Sequence, residues 1–191
     1  MVSSPSVQGF TTILLCQSHI RRSTRIDLFQ GEVTNATRAL ELYSACGHQS
    51  GRAYALNDIG WASAQLGRHQ AAITFCEQAL ATHKVLADRD GEAHSWEHLG
   101  FAYQGLANYE QAIICYQNAV DLCRDLGDVY DEAAALDSLG DSHQAAGDVE
   151  RARIAWRRAL ILVEKLNDTT TQRLRQKLHA GVTLDETGTE A

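Results

Sequence analysis

The chain has 191 residues, 45% of them hydrophobic, with a formal net charge of -7, enough for one domain with a core. Its 17 lysines and arginines are scattered, which excludes an extended nucleic-acid face, because such a face needs clustered cations. Five cysteines, an odd number without a Cys-x-x-Cys pair, indicate neither a disulfide framework nor a cysteine zinc site; reduced thiols in a cytoplasm are the expected state.

Residues 1–30 hold the apolar run GFTTILLC, too short to span a membrane, with Arg21, Arg22 and Arg25 after it rather than before it. That order predicts neither a secretory signal nor a membrane anchor, and the segment is expected to be irregular or a degenerate helix. Residues 31–50 contain TNATRALELYSACGHQS, in which Ala39 and Leu40 keep the register of Ala79 and Leu80. This stretch is expected to be a partial repeat, its second helix only. Further upstream the register fails, since Ile20 stands in a column of glycines.

From residue 51 the chain falls into three gapless rows of forty, 51–90, 91–130 and 131–170. Shared columns are Ala53/Ala93/Ala133, Gly60/Gly100/Gly140, Ala72/Ala112/Ala152, Ala79/Ala119/Ala159, Leu86/Leu126/Leu166 and Asp88/Asp128/Asp168. Small residues in register predict close helix approach, so all these columns read as packing positions. Within the second row Ala93, Trp96, Leu99, Gly100 and Tyr103 follow three-and-four spacing, Ala107 and Asn108 break it, and Ala112, Ile113, Tyr116, Ala119 and Val120 resume it. Each row is therefore a helical hairpin, with Asn108 and Asp148 expected as N-caps of second helices. A lone hairpin cannot bury both faces, so the rows must stack. The expected fold is all-α, a right-handed solenoid of antiparallel hairpins with a concave inner wall. Residues 171–180 predict a capping helix with Leu174 and Leu178 inward and Arg173, Arg175 and Lys177 outward. Residues 181–191 are small, polar and acidic, and read as a disordered tail.

These rows resemble the tetratricopeptide repeat family. The second row carries Trp96, Leu99, Gly100, Tyr103, Ala112, Tyr116 and Ala119 in the family's motif slots. The first carries Leu56, Ile59, Gly60, Ala72, Cys76 and Ala79, and the third Leu136, Leu139, Gly140, Ala152, Trp156 and Ala159. The departures are the forty-residue period, Ser63 and His143 in the tyrosine slot, and no proline closing each unit. Units of this length are similar to those of kinesin light chains and peptide-sensing bacterial regulators. ALNDIGWASAQLG with DLGD is most similar to the C-terminal arrays of actinobacterial antibiotic-regulatory transcription factors. The resemblance implies a non-catalytic module that binds a protein or peptide segment, as the sensor or assembly part of such a regulator.

In this register the first-helix positions turned from the neighbouring hairpin line the inner wall. They are Tyr54, Asn57, Asp58, Trp61, Ala64 and Gln65 in the first row, and His94, Glu97, His98, Phe101 and Gln104 in the second. The third row adds Asp137, Ser138, Asp141 and Gln144. Trp61 and Phe101 occupy one slot in consecutive rows, and large aromatics there predict a contact surface. Asp58, Glu97, Asp137 and Asp141 are acidic and no lysine or arginine shares these slots, so an apolar segment with basic or amide groups is the expected partner. No nucleic acid, membrane or cofactor is expected; packing of the N-terminal end on a second copy, as a self-associating fragment or homodimer, is the alternative.

One competing motif remains. HSWEH places His94, Glu97 and His98 in the His-x-x-Glu-His order of an inverted zinc protease, whose further ligand would have to be a distant acid such as Glu164. Repeat packing accounts for Trp96, Leu99, Gly100 and Tyr103 around it, so hydrolase chemistry is the minor alternative. Cys76 and Cys115 sit among apolar residues of second helices and are expected to pack.

Overall fold

The computed structural model describes residues 7–164 and 169–180, with side chains over 24–164 and 170–179. The chain is a run of eight described helices: α1 (Val7–Ala45), α2 (Gln49–Gln65), α3 (His69–Leu86), α4 (Arg89–Gly105), α5 (Tyr109–Leu126), α6 (Val129–Ala145), α7 (Val149–Val163) and α8 (Thr169–Ala180). No strand occurs among the described residues. Each helix packs on the next, and α2, α4 and α6 also touch in succession, giving a solenoid of hairpins α2–α3, α4–α5 and α6–α7. Residues 181–191, expected as a tail, and Asp168 lie outside the described residues.

Two kinds of turn set the hairpin geometry. Inside each hairpin one residue takes a left-handed conformation, Gly67 (φ 76°), Ala107 (φ 57°) and Gly147 (φ 85°). The next N–H then returns to the helix just ended: Arg68 to the Ser63 carbonyl at 2.9 Å, Asn108 to Tyr103 at 3.0 Å and Asp148 to His143 at 2.9 Å. Asn108 and Asp148 then cap α5 and α7, accepting from Gln111 N at 3.3 Å and Arg151 N at 3.0 Å. Between hairpins Asp88 accepts from Gly91 N at 3.0 Å, and Asp128 accepts from Tyr130 N and Asp131 N. The aspartate column expected to mark packing is thus a capping column at Asp88 and Asp128, because a short carboxylate satisfies the free N–H groups of α4 and α6.

The glycine column explains how closely the helices approach. A Cβ at Gly60 would overlap Cys76, one at Gly100 would lie 2.8 Å from the Tyr116 ring, and one at Gly140 would lie 2.5 Å from Trp156 Cδ1. Cys76, Tyr116 and Trp156 are each almost fully buried. Every hairpin therefore closes by seating one large second-helix side chain on a bare stretch of first-helix backbone. Ala53, Ala72, Ala79, Ala112, Ala119, Ala152 and Ala159 are buried around these seats.

The ends differ from the sequence expectation. α1 is helical from Val7 and runs unbroken through residue 30, where a boundary between an irregular or degenerate-helix segment and a half-repeat is expected; Leu28, at the place of the caps Asn108 and Asp148, has no polar side chain to start a new helix. At the other end Leu174 is buried as expected, but Arg173 and Lys177 do not both point away into solvent. Arg173 Nη2 lies 2.7 Å from Asp137 Oδ2, and Lys177 Nζ lies 2.6 Å from both Asp137 Oδ1 and Asp141 Oδ1. The carboxylate of Asp137 is buried on α6, and burying it without a cation would be costly, which draws α8 onto that helix.

Candidate functional site

The residues expected to line the wall lie on α2, α4 and α6, and they are not equally available. At the centre Trp61 of α2 stacks on His98 of α4, with centroids 4.8 Å apart and planes 25° apart, and tilts against Phe101 at 5.1 Å. Trp61, His98 and Phe101 are all half-buried, so the cluster presents an aromatic ledge across two hairpins. Burial, then the nearby His94, pushes the His98 imidazole down to about 4, against a hydrogen bond to the Asn57 backbone that acts the other way. His98 is thus a neutral ring in the ledge at ordinary pH.

Acidic groups surround the ledge. His94 Nε2 stands 3.7 Å from Asp90 and 4.0 Å from Asp131, bridging α4 to α6. Burial and the Asp131 carboxylate raise the Glu97 carboxyl, with His94 pulling against them. On α2, Asp58 is only partly covered, and that partial burial together with Glu32 of α1 raises its carboxyl. Tyr54, also on α2, meets the buried His83 ring edge-on at 4.8 Å. Its hydroxyl is pushed up to about 12 by burial and by a hydrogen bond to Asp88.

Three expected wall residues, Asn57, Ala64 and Asp137, are buried and not free to receive a partner. The carboxylate of Asp137 is covered by α8. Asp141 shares Lys177 with it. The charges of Asp137 and Asp141 are therefore offset from within the chain. Gln65 lies beside Arg25, Ile26 and Phe29 of α1, Gln104 receives the Tyr116 hydroxyl at 3.4 Å, Ala64 is buried, Ser138 is half-buried and Gln144 is exposed.

The zinc-motif residues are each engaged by other groups. His98 faces Trp61, His94 faces Asp90 and Asp131, and Glu164 at the end of α7 pairs with Arg175 at 3.5 Å. Among the described residues no group of three or more histidine, cysteine, aspartate or glutamate side chains is placed to hold a metal ion. No helix among the described residues is long and apolar enough to cross a membrane.

Sequence reasoning missed a groove of about 500 Å³ between α1 and α2, lined by Glu32, Asn35, Ala36, Ala39, Asp58 and Trp61. A signal for it exists: Ala36 holds the column of Cys76, Tyr116 and Trp156, so α1 lacks the large side chain that fills the other hairpins. The placement of the α8 cations on the wall acids was also missed, since they are expected to face outward. Continuing the forty-residue rows places Lys177 in the column of Asn57, Glu97 and Asp137, which would have put it on the wall side.

Two family models, both described as tetratricopeptide repeat, match residues 52–91 and 91–165 and together span more than half of the chain. No functionally curated protein matches. Among solved structures the chain is similar to a Q17M form of a Podosopora anserina putative kinesin light chain with nearly identical TPR-like repeats, at TM-score 0.68 and 13% identity, covering 88% of each chain. It is also similar to BtubC (BKLC) of P. vanneervenii, at TM-score 0.65 and 17% identity over 84% of this chain and 83% of that one. The TPR domain of Arabidopsis FLU is a third likeness, at TM-score 0.58 and 18% identity over 61% of this chain and 98% of that one. At these identities the likeness is one of fold.

Proposed function

Because the chain belongs to the tetratricopeptide-repeat family, a protein-interaction fold, we propose that it holds an apolar, basic protein segment against the inner faces of α2 and α4. The observation that carries this reading is the ledge of Trp61, His98 and Phe101, which leaves aromatic area half-exposed on the inner wall. Rigid aromatic rings give contact area at little cost in rotamer freedom, so such a ledge is the natural anchor. Asp58, Asp90, Glu97 and Asp131 around it carry negative charge, while Asp137 and Asp141, further along α6, are already paired with Lys177. A partner with lysine or arginine flanking an apolar anchor complements that arrangement, and charge complementarity sets specificity and association rate.

In the cell we place the module as the sensor or assembly part of a bacterial transcriptional regulator, with DNA contact made by another domain or chain. The forty-residue period and the resemblance to antibiotic-regulatory arrays support this, as does a net charge of -7, which suits protein rather than DNA contact.

The test is a selection from a displayed random-peptide library, with the enriched peptides titrated against wild type and Phe101→Ala by fluorescence anisotropy. Apolar peptides with basic flanks should be enriched, and Phe101→Ala should weaken them about tenfold or more while circular dichroism stays helical. Acidic enriched peptides, or unchanged affinity in the variant, would overturn the reading.

A further inference from the structure

The open groove between α1 and α2 lies where, in the other hairpins, the preceding first helix would pack. Trp61 of α2 touches His98 and Phe101 of α4, so a residue in that slot meets two fixed slots of the next first helix. Moving this relation back by one forty-residue row puts Arg21 against Asp58 and Trp61. Asp58 and Trp61 both line the groove. The sizes also complement. In the three hairpins a glycine faces a larger side chain, Gly60 with Cys76, Gly100 with Tyr116 and Gly140 with Trp156, whereas the row before them pairs Ile20 with Ala36. Bulk has moved from one helix to the other, and Ala36 lies in the groove wall.

The far end of the array shows how such an edge is closed. There the basic helix α8 covers the acidic edge of α6, with Lys177 on Asp137 and Asp141 and over the Trp156 ring at 5.6 Å from its centroid. The near end has the same chemistry without the cover: Asp58 and Glu32 are exposed beside Trp61. The matching cations are in α1, where Arg21, Arg22 and Arg25 stand in a segment with no acidic residue before Asp27.

That segment does not lie on its own α2. The helices α1 and α2 run antiparallel, with Tyr43 beside Gly51 at one end and Arg25, Ile26 and Phe29 beside Gln65 and Gly67 at the other. Since α1 is unbroken from Val7, residues 11–24 continue past the end of α2. At the corresponding turns Gly67, Ala107 and Gly147 reverse the chain, but the unbroken helix passes straight through Asp27 and Leu28.

We propose that residues 11–26 of one copy fill the α1–α2 groove of a second copy, reciprocally, so that each chain supplies the other's missing first helix and Arg21 meets the partner's Asp58 and Trp61. Exchange of one helix through an opened hairpin is a low-cost route to a two-fold dimer. Each wall is lengthened by one helix from the partner, and the aromatic ledge gains a cation on its open side. This goes beyond the binding of a foreign segment and stands independently of it.

The experiment is sedimentation velocity on the full chain, wild type, Arg21→Glu and Arg21→Glu/Asp58→Arg, each checked for unchanged helicity. Wild type should be a dimer, Arg21→Glu should raise its dissociation constant about tenfold or more, and the charge swap should restore it. A monomeric wild type, or a dimer indifferent to Arg21→Glu, overturns the proposal. In a Cys16→Ser/Cys46→Ser background, oxidation of Arg21→Cys/Asp58→Cys should give a covalent dimer on a denaturing gel. An intrachain bond would show the arm folded back on its own groove, and no bond would show it elsewhere; either result overturns the exchange.

Discussion

Gly100→Ala tests whether close helix approach, rather than chance, keeps glycine in its column. A methyl at Gly100 would lie 2.8 Å from Tyr116 Cε1 and 2.9 Å from Cδ1 and Cζ, so the ring must retreat by about 0.6 Å or more to reach ordinary contact. Tyr116 is only 1% exposed and packed among Ala112, Ala119 and Leu136, so no open side is available. Overpacking of this kind costs about 1–3 kcal/mol. The Tyr116 hydroxyl bond to Gln104, already 3.4 Å long, would be lost, adding about 1 kcal/mol. Against this, alanine gains about 0.5–1 kcal/mol over glycine inside a helix. The net expectation is destabilisation by about 1–3 kcal/mol. Gly31→Ala is the control, because nothing lies within 4 Å of a Cβ there and only the helix gain remains. Urea unfolding followed by circular dichroism at several wavelengths, with unchanged slope, measures both variants. Opposite signs are expected; a Gly100→Ala chain as stable as Gly31→Ala would refute the packing argument.

Two further predictions concern ionisable groups. His98 remains neutral in the fold down to about 4, whereas an unfolded histidine takes up its proton near 6.5, so its contribution is lost as pH falls from 6.5 towards 4. Over that range wild type should lose about 2–3 kcal/mol more than His98→Phe, measured as the difference in unfolding free energy at pH 7 and pH 4.5; equal losses would place His98 in a solvated site. For the thiols, Cys46 is exposed, while burial pushes Cys76, Cys115 and Cys123 up to about 12. Iodoacetamide at mildly alkaline pH, read by peptide mass spectrometry, should label Cys46 rapidly and the other three only after unfolding. Labelling of Cys76 at the Cys46 rate in the folded chain would contradict the buried seat on Gly60.

Much of this architecture is written locally. Helical spacing and the glycine and alanine columns are short-range signals repeated in all three rows, and the caps Asn108 and Asp148 recur in two of them, so repetition reinforces each one. The aromatic pair was legible for the same reason, since Trp61 and Phe101 share a slot. Which wall carboxylates remain available was not, because Asp137 is satisfied by residues 36 and 40 positions away on α8. Nor was it legible that His94 and His98, one turn apart in sequence, take different partners, since the ring of one meets a tryptophan of another hairpin and the other lies between two aspartates.

By itself, then, the sequence determined the solenoid: every residue needed to start, stop and stack a hairpin lies within one period or its neighbour. Tertiary structure decided which charges are spent and which surface stays open. Those outcomes depend on the ends of the array: α8 covers one, while at the other α1 runs on unbroken and the groove it borders stays open. Burial and pairing belong to the assembled neighbours of a residue, and no period of the sequence carries them.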